Sequence, residues 1–201
     1  MKKFLKKRWS WLLGGCALIA AVILLLEQYG MKGAGMPTLT VETPQKLSKA
    51  ETTEFTLDVT ISDLGDALYP AMSMSIAFDA SRLEFLGVEE GNVFVYNTEN
   101  TTGQQLPEWS SDVASSNTSG RINIMYLDLT GGKHAFGRNL LAEEDNVVLR
   151  LRFRLKGSVR SGDVMDLVVE DAVFAASDEK DSLAMTLDTL KVRNGKIVIG
   201  E

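Results

Sequence analysis

The sequence predicts an all-β fold, an antiparallel β-sandwich preceded by one N-terminal transmembrane helix. Three observations carry this. From Thr38 onward, short segments alternate apolar and polar side chains with the period of two that half-buried strands require, and turn-forming residues separate them. Ahead of them, a cluster of lysines and one arginine leads into an uncharged run from Trp9 to Leu26. Between the two lies a short Gly-containing tether, Met31 to Pro37, after which no second break in composition occurs. The chain therefore divides into a basic stub (1–8), a transmembrane signal-anchor (9–29), a linker (30–37) and a single β-sandwich (38–201).

The apolar run, at about 1.5 Å per helical residue, spans roughly 27 Å, close to a hydrocarbon core once Arg8 snorkels and Trp9, Trp11 and Tyr29 settle at the interfaces. Lys2, Lys3, Lys6, Lys7 and Arg8 hold the amino terminus in the cytoplasm, so the expected localisation is a single-pass cell-membrane protein with its C-terminal domain extracellular. Two other readings stay open. Gly33-Ala34-Gly35 offers a small-residue cleavage site for a secretory signal, and Leu13-Gly14-Gly15 before Cys16 is similar to a lipobox, although the strongest apolar stretch follows that cysteine.

Charge and chemistry exclude several functions. All 27 acidic residues lie at or beyond Glu27 and five of the 21 basic residues precede it, so the exported part carries sixteen cationic against 27 acidic side chains, a net −11. Nucleic acid is therefore not an expected partner. Cys16, the only cysteine, sits in the apolar run, so the domain has no disulfide and must be held by its core. His134 is the only histidine, and the serines lack a nucleophile-elbow context. The carboxylates of Glu89-Glu90 and of Glu143 to Asp145 read as solvated, and neither the latter group nor Asp178-Glu179-Asp181 has a fixed metal-ligand spacing. No enzyme activity, cofactor or metal is expected. The acceptor triplets Asn100-Thr101-Thr102 and Asn117-Thr118-Ser119 are assigned no function.

The strands follow in order. Phe55, Leu57, Val59 and Ile61 alternate with Glu54, Thr56, Asp58 and Thr60. Met72, Met74, Ile76 and Phe78 alternate with Ala71, Ser73, Ser75 and Ala77, after which Asp79-Ala80-Ser81 turns the chain and Leu83, Phe85 and Val88 restart an apolar face. The stretch Asn97 to Gly120, rich in Thr, Ser and Asn, reads as a long surface connection. Ile122, Ile124, Tyr126 and Asp128 alternate with Asn123, Met125, Leu127 and Leu129, which leaves apolar groups on both faces. Val147, Leu149, Leu151, Phe153 and Leu155 alternate with a row of Arg150, Arg152, Arg154 and Lys156, cationic groups at about 6.6 Å intervals. Leu167, Val169 and Val173 form another strand, and Leu190 to Val192 is expected to pair with Ile197 to Ile199 across the turn Asn194-Gly195.

Several of these segments carry a family resemblance. Phe78, Asp79, Leu83, Val88 and Gly91 match the aromatic-Asp-Pro-x-x-Leu-x-x-x-x-Val-x-x-Gly motif of cohesin domains of cellulosome scaffolds, with Ala80 in the place of the proline. GRINIMYLDLTGG, DNVVLRLRFRLKGSVRSGD and VRNGKIVIG resemble later strands of the same family, in the same order. The resemblance implies a cohesin-like antiparallel sandwich of jelly-roll type and a non-catalytic, surface-displayed module that docks a partner protein, dockerin-like, through one sheet face. By residue matching, the outward positions of that face are Ala71, Ser73, Ser75 and Ala77 on one strand and Ile124 and Tyr126 on its neighbour, and of these Ala71, Ser73, Ser75, Ile124 and Tyr126 are the expected partner-binding residues. Ala71 and Ser73 stand where many cohesins carry an Asn and an Asp. The resemblance also makes the Glu54–Asp58 and Arg150–Lys156 strands neighbours, so cross-strand pairing is the simpler account of the basic row and an acidic-ligand site the other. The alternative function is a membrane-anchored carbohydrate-binding module of similar fold, with polysaccharide as its partner, built on Trp109 with Tyr69, Tyr96 or Tyr126.

Overall fold

The computed structural model of the chain describes residues 36–44, 46–50, 53–62, 64, 68–91, 108–129, 135–136, 146–176 and 184–200. In chain order the elements are β1 (Thr38–Val41), β2 (Leu47–Ser48), β3 (Glu54–Ser62), β4 (Ala71–Ala77), β5 (Leu83–Glu90), β6 (Glu108–Ser111), α1 (Val113–Ser119), β7 (Arg121–Leu127), β8 (Val147–Leu155), β9 (Val164–Ala175), β10 (Lys191–Arg193) and β11 (Gly195–Gly200). They form a five-stranded sheet, β10-β1-β3-β8-β5, and a six-stranded sheet, β2-β11-β9-β4-β7-β6. Neighbours are antiparallel except at one edge of each sheet, where β10 runs parallel to β1 and β2 parallel to β11. The alternation read from the sequence is the reason the sheets face each other: Leu57, Val59 and Ile61 of one and Met72, Met74 and Ile76 of the other are all buried in one cluster.

Aromatic rings fill both ends of that core. Phe55, Phe153 and Phe85 lie directly opposite one another across β3, β8 and β5, and Phe78, just past β4, adds a fourth ring 5.5 Å from Phe153. Beyond the other end of β4, Tyr69 and Phe136 bridge backbone to backbone, and Phe136 contacts Tyr126 at 4.9 Å and Phe174 at 5.5 Å.

Two departures from strict alternation are bulges. Opposite β8, the register of β5 shifts between Phe85 and Gly87, whose φ of 136° suits only glycine; this is why Phe85 and Val88, three apart, serve the same apolar face. In β9 the register against β4 shifts between Val169 and Asp171, so Glu170 and Asp171 are consecutive and both exposed.

The structure corrects two expectations. The Asn194-Gly195 segment is no hairpin turn: β10 pairs with β1 and β11 with β9, so the chain crosses there from one sheet to the other. Asn194 accepts the Val169 N–H through its side chain at 3.0 Å, and a Cβ on Gly195 would lie 2.7 Å from Val41 Cγ1, so close packing rather than turn geometry calls for the glycine. The expected connection Asn97 to Gly120 contains β6 and α1 in its described part. Asp112 caps the helix by accepting the Ser115 N–H at 2.9 Å, and Gly120 closes it in the left-handed region at φ 71°. Asn117 ties it down, accepting the Phe85 N–H and donating to the Phe85 carbonyl, both at 2.8 Å. Its amide is thereby engaged in the fold. Asn100, His134, Glu143 to Asp145, Asp178 to Asp181, Tyr96, Cys16 and the apolar run 9–29 lie outside the described residues. Among the described residues no helix is long and apolar enough to cross a membrane.

Candidate docking face

The outer face of the six-stranded sheet is ordered by its register. Asn123, Ser75 and Asp171 lie in one row across β7, β4 and β9; the next row is Met125, Ser73 and Val173, and the next Leu127, Ala71 and Ala175. The strand period and spacing set these rows about 6.8 Å apart along the strands, with neighbouring strands about 4.8 Å apart. β4 thus contributes only Ala71, Ser73, Ser75 and Ala77 to this face, between Asn123, Met125 and Leu127 of β7 and Asp171 and Val173 of β9, and the Arg121–Glu170 ion pair spans it beside Ala77. The result is a shallow trough over β4 about 10 Å wide, near the diameter of an α-helix with its side chains. Its apolar wall is exposed: Met125 is 62% and Leu127 49% accessible. At the β6 edge a recess of about 210 Å³ opens beside Met125, lined by Ser110, Asp112, Ser115 and Asn123 among others.

Ala71, Ser73 and Ser75 lie on this face as expected, with Ser75 donating its hydroxyl to Asn123 Oδ1 at 2.7 Å. Ile124 and Tyr126 do not. They are 1% and 2% exposed, in the core, and the outward residues of β7 are Arg121, Asn123, Met125 and Leu127. The physical reason is register: Ile124 pairs with Met74 and Tyr126 with Met72, directly opposite residues share a face, and the methionines are core. Burial, followed by the charges of Asp128 and Glu90, raises the Tyr126 hydroxyl well above the ordinary tyrosine range. Tyr126→Ala is therefore expected to act on folding, lowering stability by about 3 kcal/mol in a denaturation experiment, as loss of a packed ring does.

The other sheet's outer face neutralises itself. Arg154 reaches Glu54 at 2.6 Å and Glu84 at 3.0 Å, Arg152 reaches Glu89 at 3.2 Å and Glu54 at 3.6 Å, and Arg150 reaches Asp58 at 3.1 Å. Lys156 donates to the Ala80 carbonyl at 2.6 Å. The Arg154 hydrogen bond is the first cause holding the Glu54 carboxyl below its ordinary range. The basic row is thus cross-strand pairing.

A sugar platform finds no support among the described side chains. Tyr69 and Tyr126 are buried, and the large exposed apolar residues are Met, Leu and Val. Trp109 pairs its backbone with Tyr126 in the ladder of β6 and β7, and its side chain lies outside the description. Among the described residues no group of three or more His, Cys, Asp or Glu could hold a metal ion.

Comparison with known proteins places this architecture. The sixth cohesin of Acetivibrio cellulolyticus scaffoldin B, solved in complex with a mutant Cel5 dockerin, superposes with a TM-score of 0.58 at 18% identity, over 81% of this chain and 98% of that one. The OlpA cohesin of Clostridium thermocellum, solved with the Doc918 dockerin, gives 0.59 at 17% identity over 82% and 99%. The CaCohA2 module of Clostridium acetobutylicum gives 0.55 at 21% identity over 82% and 91%. At these identities the likeness is one of fold. No curated protein matches the sequence. The model of the cohesin domain, however, matches residues 38–193, most of the chain, and the protein belongs to the cohesin family.

Proposed function

We propose that the sandwich is a non-catalytic docking module that receives a helix of a dockerin-type partner along the trough over β4. The observation that carries this is the row of Ala71, Ser73 and Ser75, ending where the Arg121–Glu170 ion pair spans β4 beside Ala77 and flanked by exposed Met125 and Leu127, which lets a helix backbone approach closely and bury aliphatic side chains at its sides. Membership in the family and the two neighbours solved with dockerins support the partner class. The test is a binding array of purified dockerins encoded by the source organism, with the full-length protein immobilised. At least one dockerin is expected to bind at micromolar Kd or tighter, and no binding to any would overturn the partner class.

In the same reading, residues 9–29 hold the module at the outside of the cell membrane, supported by the Lys2 to Arg8 stub and the run to Leu26. Full-length protein is expected to stay with membranes through a carbonate wash while external protease removes the sandwich. A soluble form beginning near Met36 would show cleavage instead.

A further inference from the structure

We propose that Asp171, displayed by the β9 bulge, selects partners whose docking helix carries a Lys or Arg about one turn from the aliphatic residues that seat between Met125 and Val173. The inference rests on the trough being the docking face.

The bulge makes Glu170 and Asp171 both point outward, where a regular strand would send one of them into the core. Their surroundings differ. Glu170 is ion-paired with Arg121 of β7, two strands away. On the same strand Asp166 faces Lys196 of β11 at 3.9 Å. Asp171 alone of these three carboxylates makes no ion pair among the described residues. It is exposed, and its row holds only the neutral Ser75 and Asn123, whose side chains bond each other.

An approaching helix that covered this carboxylate with apolar groups would remove its water without a substitute, which costs far more than the apolar contact gains. A Lys or Arg at that point supplies the partner and discriminates against an acidic one. The spacing is fixed as well. The Asp171 row lies about 6.8 Å along the strands from the Met125–Val173 row, close to the 6 Å rise of four helical residues. The cation is thus expected four positions from the central aliphatic anchor.

The test uses a phage-displayed library on the Cel5 dockerin scaffold with the surface of one helix randomised, selected on the full-length protein. Selected clones are expected to be enriched in Lys or Arg four residues from Leu, Ile, Val or Met. Asp171→Asn should weaken them by about tenfold, while Asp166→Asn leaves them unchanged, and a clone whose cation is changed to Glu should regain binding on Asp171→Lys. Binding of the clones to unaltered protein should also weaken several-fold with added salt, a readout independent of how any variant folds. Clones that bind wild type and Asp171→Asn equally, without salt dependence, yet are lost on Ser73→Arg would overturn the role of Asp171 and leave the docking face standing. Clones indifferent to Ser73→Arg, or a library yielding no binder, would overturn both.

Discussion

Phe153→Ala is expected to destabilise the domain by about 3 to 5 kcal/mol, whereas Arg152→Ala, one residue away, should cost under about 1 kcal/mol. The two side chains point to opposite faces of β8. Phe153 is fully buried and touches three other rings, at 5.9 Å from Phe55, 5.5 Å from Phe78 and 5.7 Å from Phe85, so its removal opens a cavity that β3, β8 and β5 would all have to close on. Arg152 is 41% exposed, and its pairs with Glu54 and Glu89 lie in water, where attraction is screened. Glu54 also keeps the two hydrogen bonds that Arg154 donates to its Oε1. Against a total stability of about 5 to 15 kcal/mol, the Phe153 loss would move the denaturation midpoint far at unchanged slope. Equal costs would mean that the register of β8 is other than described. The same ladder gives a pH signature. The carboxyl of Glu54 is held below its ordinary range in the folded state, so its contribution is present at neutral pH and fades as pH falls through that lowered value. Glu54→Gln should flatten the acid limb of stability measured against pH.

The strands of this domain were legible because period-two alternation survives wherever one face is dry and the other wet. β3, β4 and β8 lie where the pattern put them, and the pairing of Glu54 and Asp58 with the arginine row followed from the cohesin resemblance, which made those two strands neighbours. β7 was ambiguous for a physical reason. With Ile124 and Tyr126 on one face and Met125 and Leu127 on the other, both parities look apolar, and only the pairing with Met72 and Met74 decides between them. A strand apolar on both faces must leave one apolar face outside the core, and that signal was present in the residues. The helix α1 was hidden because Val113 to Ser119 is poor in strong helix formers. Its hydroxyls of Ser116, Thr118 and Ser119 bond back to carbonyls four residues earlier, and the helix exists because Asp112, Gly120 and the Asn117 tie to β5 fix it. The Asn194-Gly195 crossover was misread because a two-residue turn signal is local, whereas the choice of sheet is made by distant partners, β1 and β9.

Ser73→Arg should abolish docking while leaving folding nearly intact. Ser73 is exposed at the floor of the trough, directly between Met125 and Val173. Replacing its hydroxymethyl group by a guanidinium on a three-carbon stem raises the floor by several ångströms, so a helix can no longer bring its backbone close enough to bury its side chains against both walls. A loss of 100-fold or more, about 2.7 kcal/mol or greater, is expected in a titration with the bound dockerin. The melting temperature should hardly move, because the new side chain projects into water. Two companions separate obstruction from lost contact. Ser73→Ala keeps the trough and should bind within about twofold of wild type, and Met125→Ala removes one exposed wall and should cost about tenfold, the weight of a single well-placed anchor. If Ser73→Arg binds normally while remaining folded, the partner does not approach over β4. If instead it binds poorly and also melts early, comparison with Tyr126→Ala, which acts through the core, would show whether binding fell only as the fold did.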